Sequence, residues 1–298
     1  MKRTCPVVIV ALSLFGCADP NGAVEDSYRV LDIPSIALGA ESTVRLALHE
    51  PAGVPDAVIV FLHGVGGSEH SWAELGGPEA LKPAAQTGSP HPPAVLVVAV
   101  GGDSLGWPEH LDGSVSWEHL LVDELPAYLR SEYGEHLINS RIAYLGTSAG
   151  GSKALSMAFK HPASFACVAA HSPALHPPDP GDLPDWARAW EGWKPLYGLP
   201  IDEARWRAGN VIHLATTADA ESLADLGIYF DVGADDHLGF QHTAARLTSV
   251  LADRGVPHEF ALRVGGHGSD FTSSNLPKSI TFLIRCLGQR LALEPHAF

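Results

Sequence analysis

Short apolar segments recur along this chain, and each is bounded by Gly, Pro, Asp or His. They are too short for typical helices, are rich in Val and Ile, and are mostly apolar on both faces, which predicts buried parallel strands. These segments span residues 57–62, 94–100, 141–145, 165–170, 228–232 and 259–264. Two earlier segments, 27–33 and 42–48, alternate more between apolar and polar residues and predict antiparallel strands at the start of the same sheet.

Helical patterns lie between the apolar segments. Residues 116–133 place four Leu and a Tyr on one side, with Asp123, Glu124 and Arg130 on the other. Further helical patterns cover residues 152–160, 237–254 and 274–291. Strand–helix alternation of this kind predicts an α/β fold with a mostly parallel central sheet, helices on both faces, and ligands bound at the carboxyl ends of the strands.

One segment, at about residues 176–210, interrupts this alternation. It is rich in Pro, and its large aromatic side chains are Trp186, Trp190, Trp193, Tyr197 and Trp206. It is inserted between two predicted core strands, where a cap over an active site would lie. Two interpretations stay open and are compatible: an aromatic wall for substrate, or a small subdomain that buries its own aromatics.

The N-terminus predicts export. Lys2 and Arg3 precede an apolar run at residues 7–12, which is too short to span a bilayer. Residues 14–17 resemble a bacterial lipobox, so we expect residues 1–16 to be a signal peptide and Cys17 to carry a lipid. The alternative is an ordinary signal peptide cut nearby. Residues 17–26 would then form a tether, and residues 27–298 one catalytic domain with its insertion.

Composition narrows the partners. With 34 acidic and 19 basic residues the net charge is −15, so nucleic acid is not an expected partner. We expect no metal, because no His-Glu-x-x-His or paired-Cys spacing occurs, and no cofactor. In the body of the chain Cys167 and Cys286 are expected to be two buried thiols, although a single bridge stays possible.

The strongest chemical signal is the pentapeptide Gly146-Thr147-Ser148-Ala149-Gly150. It directly follows a predicted strand and directly precedes a predicted helix, which is the setting of a nucleophile elbow. The helix N-terminus would favour negative charge on the Ser148 oxygen. Ser148 is therefore the predicted nucleophile.

A serine nucleophile needs a His base and a carboxylate, which in this fold follow it in the order acid, then base. Of the sixteen His, His267 lies in a Gly-rich loop directly after the last predicted strand. Asp236 follows the preceding strand and is preferred over Asp235, which would face solvent or cap the next helix, and over Asp231, which lies within the strand. The predicted triad is Ser148, Asp236 and His267.

The developing oxyanion needs backbone donors. Ala149, directly after the nucleophile, would supply one N–H. The other is expected from the loop His63-Gly64-Val65-Gly66-Gly67, which follows an apolar strand and whose glycines allow a close backbone approach. We assign the second donor to Val65, with Gly66 as the alternate, and expect His63 to brace this loop.

These motifs together resemble the branch of the α/β hydrolases that contains esterase D, the feruloyl esterases and the mycolyltransferases. The resemblance covers roughly residues 40–290, and its motifs are 63–67, 98–103, 124–125, 146–151, 161–165, 232–236 and 266–267. It implies the α/β-hydrolase fold and places the family's triad on Ser148, Asp236 and His267. The Trp-rich segment has no clear counterpart, so no substrate is carried over.

The residues thus predict an exported serine esterase that hydrolyses carboxylic esters through an acyl-enzyme. Its expected partner is a small-molecule or polymer-linked ester. An acyltransferase, in which an alcohol replaces water, would use the same residues. A non-catalytic envelope protein that retains the fold for binding is the alternative of another class. The acyl and alcohol parts of the substrate are not encoded in any motif.

Overall fold

The computed structural model describes residues 27–84, 92–103 and 107–293. The predicted export signal at residues 1–16, the lipid site at Cys17 and the tether lie outside them. Among the described helices, none is long and apolar enough to cross a membrane.

An eight-stranded sheet with the order β1-β2-β4-β3-β5-β6-β7-β8 forms the centre of the molecule. The antiparallel pairs are β1 with β2 and β2 with β4, and all other pairs are parallel. The strands are β1 Ser27–Pro34, β2 Thr43–Glu50, β3 Ala57–Leu62, β4 Val95–Val100, β5 Ile142–Thr147, β6 Cys167–His171, β7 Gly227–Gly233 and β8 Glu259–Arg263. The open, mostly parallel sheet confirms the predicted fold class.

Helices cover both faces of the sheet. They are α1 Ser71–Glu74, α2 Gly77–Ala84, α3 Trp117–His119, α4 Leu125–Tyr133, α5 Ala149–Lys160, α6 Asp185–Arg188, α7 Lys194–Tyr197, α8 Glu203–Gly209, α9 Val211–Thr217, α10 Ala220–Ala224, α11 Phe240–Asp253 and α12 Ser269–Leu293. Because side chains alternate across a strand, Val58 and Val60 join the core with α4, α5, α9 and α11, whereas Ile59 and Phe61 join the core with α1, α2 and α12. The central strands are therefore apolar on both faces.

Three helices begin at other residues than the patterns predict. Helix α5 starts at Ala149, directly after Ser148, and α12 starts at Ser269, directly after the loop of His267. Helix α11 starts later than predicted, at Phe240, because Gly239 adopts a φ of 80° that a helix does not allow. Both early starts place a predicted catalytic residue next to a helix N-terminus.

Strand β8 is less buried than predicted. It is parallel to β7, as expected, but it forms the edge of the sheet, and Leu262 is 58% exposed. An edge strand has a neighbour on one side only, so its apolar side chains are partly open to solvent. Apolar composition alone does not distinguish this edge from the sheet centre.

The expectation of two separate thiols is wrong, because Cys167 and Cys286 form a disulfide. The bond joins β6 to α12, with Cα atoms 6.5 Å apart across a sequence separation of 119 residues. Gly227 of β7 leaves room for it, since a Cβ there would lie 2.5 Å from the Cys286 Sγ. Nothing local in the sequence signals a contact between segments this distant.

The Trp-rich segment folds into short helices with a small core of its own. Leu183, Ala187 and Trp206 are buried together, and Trp193 and Tyr197 pack against them. The side chain of Trp186 is outside the described part. One of the two open interpretations, a subdomain that buries its own aromatics, therefore holds for much of this segment.

Candidate active site

The elbow at Ser148 is built by the close packing of β5, β3 and α5. Ser148 has a φ of 52°, a strained conformation for a residue with a side chain. A Cβ at Gly146 would lie 2.3 Å from the backbone of Gly150, and one at Gly150 would lie 2.1 Å from the Leu62 carbonyl oxygen. Only glycines at these two positions let α5 approach the sheet closely enough to project the serine from the turn.

The imidazole of His267 reaches the serine. Its Nε2 lies 2.9 Å from the Ser148 Oγ, and its Nδ1 lies 2.9 Å from the Asp236 Oδ2. A carboxylate oxygen only accepts, so Nδ1–H donates to Asp236 and Nε2 is left to accept the serine proton. The structure thus joins the three residues that the sequence singles out in one hydrogen-bonded chain.

Asp236 is fixed on both oxygens. It is 2% exposed, and its Oδ1 accepts the Leu238 N–H at 2.9 Å, while Oδ2 faces His267. Asp235 is exposed to solvent. Asp231, the third carboxylate considered, points into the protein and contacts other residues.

The loop after β3 lies against the nucleophile. A Cβ at Gly64 would be 3.1 Å from the Ser148 Cβ, and the Gly67 N–H donates to the Gly64 carbonyl in a tight turn. Gly66 has a φ of 78°, as the third residue of a type II turn requires. Val65 and Ala149 both line the cavity, and within the described residues neither amide has a hydrogen-bond acceptor. Gly66, the alternate donor, is not on the cavity wall.

His63 braces this loop, as expected. Its Nε2 accepts the Gly102 N–H, so its Nδ1 carries the proton and donates to the Gly64 carbonyl at 2.7 Å. Trp107 donates from its indole N–H to the His63 carbonyl. Burial lowers the pKa of His63, which keeps the ring neutral and its two roles fixed.

A cavity of about 1260 Å³ opens in front of Ser148. Its floor follows α5, its roof comes from the Trp-rich segment, and its side wall is the loop that precedes α3. The roof residues Trp190, Trp193 and Tyr197 line it, so the segment supplies an aromatic wall to the cavity. Its role in holding substrate stays a prediction. The roof of the cavity is therefore formed by the Trp-rich segment, which has no clear counterpart in the family that the motifs resemble.

His176, at the start of that segment, was not singled out by the sequence. Its ring contacts those of Trp193, Trp206 and Phe240, and Phe240 in turn contacts His267. Burial among these rings lowers the pKa of His176 to about 4, so the imidazole is neutral at neutral pH. The single usable signal was its position at the end of the loop after β6.

A second Ser-His-Asp chain lies behind the site and was also missed. His171 Nδ1 is 2.8 Å from Asp231 Oδ1, and His171 Nε2 is 2.7 Å from the Ser279 Oγ. Burial opposes ionisation of Asp231, but His171, Tyr229 and Arg263 together hold its pKa below the usual value. The His171 carbonyl accepts the Ser148 N–H, so this buried chain supports the elbow from below.

Comparisons with known proteins agree with this architecture. A ferulic acid esterase superposes with a TM-score of 0.70 at 19% identity, covering 89% of this chain and 100% of the other. An S-formylglutathione hydrolase from Agrobacterium tumefaciens gives 0.69 and 19%, covering 90% and 98%. MPT51 of Mycobacterium tuberculosis gives 0.67 and 18%, covering 88% and 99%. At such identities these likenesses establish the fold.

Among curated proteins, none matches the sequence. A family model described as "Putative esterase" matches residues 35–276, which is most of the chain and includes every residue of the site. The chain belongs to this esterase family and is a carboxylic-ester hydrolase with the α/β-hydrolase fold.

Proposed function

We propose that this protein is an exported serine esterase that uses Ser148, His267 and Asp236 as its catalytic triad. The observation that carries the proposal is the unbroken chain of hydrogen bonds from Asp236 through His267 to Ser148, whose hydroxyl faces the cavity. A serine held by a base that is itself held by a carboxylate is the arrangement acyl transfer requires.

The reaction follows from the donors around Ser148. As Oγ attacks the ester carbonyl, its proton passes to Nε2 of His267, and the carbonyl oxygen becomes an oxyanion between the Val65 and Ala149 N–H groups. The imidazolium, stabilised by Asp236, then protonates the departing alkoxide, which leaves an acyl-enzyme. Water, deprotonated by the same nitrogen, attacks the acyl group and releases the acid, and the proton returns to Ser148.

Labelling with a fluorophosphonate tests the nucleophile. We expect one adduct per protein by intact mass, on a peptide that contains Ser148. Ser148→Ala should abolish labelling, whereas the matched variant Ser279→Ala, in the buried chain, should label like the wild type. Wild-type protein that hydrolyses p-nitrophenyl acetate but fails to label, or a Ser148→Ala variant that still labels, would contradict the assignment.

The disulfide supports export as part of the proposal. Structural disulfides persist in oxidising compartments and are rare in the cytosol, and the bond between Cys167 and Cys286 accords with the basic and apolar start of the chain. We propose removal of residues 1–16 and a lipid on Cys17. Mass spectrometry of the mature N-terminus tests this. A Cys17→Ala variant should be released from membranes, and an unprocessed cytosolic wild type would contradict it.

A further inference from the structure

The cavity is long in one direction. Ser148, Ser152, Ser156 and Lys160 all line it, at intervals of four residues along α5. Residues four apart lie on one face of a helix, and the rise of 1.5 Å per residue puts Lys160 about 18 Å beyond Ser148. The cavity is therefore a groove parallel to α5 that extends well past the reacting carbonyl.

The groove ends in charged side chains. The Lys153 ammonium lies 2.5 Å from the Glu109 carboxylate, and Lys160 pairs with Glu118. Lys153 is 9% exposed and faces the groove about 8 Å from Ser148 along the helix axis. Arg205 adds a third cation from the roof, and within the described residues its guanidinium bonds only to the backbone carbonyls of Leu196 and Glu109. These groups carry three positive charges against two negative ones.

Among the described residues, most of the hydrogen-bonding groups without a partner in this half of the groove are donors. Both oxygens of Glu118 are occupied, by Lys160 and by His161, and one oxygen of Glu109 accepts from Lys153 and from the Glu118 N–H. Each lysine ammonium has three N–H groups and, in the described part of the chain, a single partner. The unused N–H groups of Lys153, Lys160 and Arg205 therefore outnumber the acceptor positions that are left on Glu109 and Glu118.

We propose that this far half of the groove is a subsite for a carboxylate on the arm of the ester, bound by Lys153, Lys160 and Arg205. A carboxylate only accepts hydrogen bonds and carries the charge that the subsite lacks, so it matches both features at once. A hydroxyl-rich arm would leave the excess of positive charge unbalanced, and an alkyl arm would desolvate the ion pairs without replacing their water. The inference rests on the proposed esterase function and names its substrate class.

Burial also affects the charge of the Lys153 ammonium. Burial lowers the pKa of Lys153, and Glu109 and Glu118 oppose that effect. A ligand carboxylate beside the ammonium would stabilise the charged form further. The bound acid and the buried lysine would thus favour each other.

Matched substrates test the subsite. We would compare p-nitrophenyl esters of acyl chains of graded length that end in a carboxylate or in the carboxamide of the same shape. The same end groups would be placed on the alcohol side, with acid release followed by titration, so both orientations along α5 are covered. We expect kcat/KM to favour the carboxylate by about tenfold at the best length, as a charge-assisted hydrogen bond allows. The preference should shrink with added salt.

Substitutions of the charged groove residues test which side chains cause the preference for a carboxylate. Lys160→Met should reduce the ratio of the carboxylate rate to the carboxamide rate toward one. Lys153→Met combined with Glu109→Gln should do the same without leaving the Glu109 carboxylate unpaired. Lys82→Met, which removes the same charge from an exposed site on α2, should keep the wild-type ratio. The measured ratio separates binding of the arm from general damage, because damage lowers both rates together.

The outcomes are distinct. A wild-type ratio near one at every length and in both orientations, or a ratio that Lys160→Met and the double variant leave unchanged, would overturn the subsite. If p-nitrophenyl acetate is hydrolysed in the same preparation, the esterase function stands and only the subsite fails. If neither short esters nor fluorophosphonate react, the proposed function itself fails.

Discussion

The molecule contains the same three residue types, hydrogen-bonded in the same order, in two places. In the chain at the cavity, Ser148 follows a strand at a strained turn, and His267 and Asp236 come from loops at strand ends. In the buried chain, Ser279 lies in the middle of α12, and its hydroxyl also lies 3.0 Å from the Leu276 carbonyl. His171 and Asp231, its partners, lie within or at the ends of strands and are fully buried.

The two hydrogen-bonded chains differ in whether substrate can reach the serine and in whether backbone N–H donors lie near it. Ser148 opens on the groove, which Val65 and Ala149 also line, and the amides of these two residues have no acceptor in the described part of the chain. We therefore expect an ester to be attacked there and its oxyanion to be bound. Ser279 is 0% exposed and donates its one hydroxyl proton to the Leu276 carbonyl of its own helix. It belongs to a network that the positive charge of Arg263 stabilises. Residue types in the right order therefore do not make a catalytic triad, because the environment decides between chemistry and support.

The largest effect is expected from the base at the cavity. His267→Gln keeps a polar side chain but cannot take the serine proton, so kcat for p-nitrophenyl acetate should fall by about 10⁴-fold or more. The midpoint of thermal unfolding should change little, because the ring lies at the cavity edge. Steady-state kinetics and calorimetry measure both. A loss of less than a hundredfold would place the base elsewhere.

The acid of the buried chain should matter for folding instead. Asp231→Asn removes the charge that His171, Arg263 and Tyr229 all face, and the loss of one partner of a buried ion pair costs about 3–5 kcal/mol. Urea unfolding measures the change. Asp236→Asn is the matched control, in which we expect the rate to fall far more than the stability. Equal stability losses in the two variants would erase the contrast.

The sequence alone predicts one of these two hydrogen-bonded chains and not the other. Ser148, Asp236 and His267 were predictable because each lies in the turn or loop that follows an apolar strand, and the carboxyl ends of parallel strands meet at one edge of the sheet. The buried chain, the disulfide and the ion pair of Lys153 with Glu109 were not predictable. They join segments far apart in the chain, and tertiary contacts of that kind leave no periodic pattern in the sequence.

Low pH should reveal the contribution of the buried chain to stability. The folded pKa of Asp231 lies below its ordinary value, so its stabilisation is complete above about pH 4 and is lost as the pH falls through the folded pKa. The free energy of unfolding of the wild type should therefore drop in this range. Asp231→Asn should flatten that part of the curve, and a parallel acid loss in the variant would assign the effect to other carboxylates.

The smallest effect is expected at the buried serine. Ser279→Ala leaves the buried Nε2 of His171 without its partner, which should cost about 1–3 kcal/mol of stability. Esterase activity should stay within about twofold of the wild type, since no substrate reaches this residue. An activity loss like that of Ser148→Ala would mean that the buried chain takes part in the reaction.

The disulfide closes a covalent ring that contains only two of the three proposed catalytic residues. Its covalent ring, closed between Cys167 and Cys286, contains Asp236 and His267 but excludes Ser148. Closing a ring of 119 residues restricts the unfolded chain by an amount worth about 5 kcal/mol in chain-entropy models. When the disulfide is intact, an unfolded chain therefore keeps Asp236 and His267 within one covalent ring. Reduction of the disulfide would remove this restriction from the unfolded segment that carries Asp236 and His267. The segment around Ser148 lies outside the ring and would be restricted no less than before.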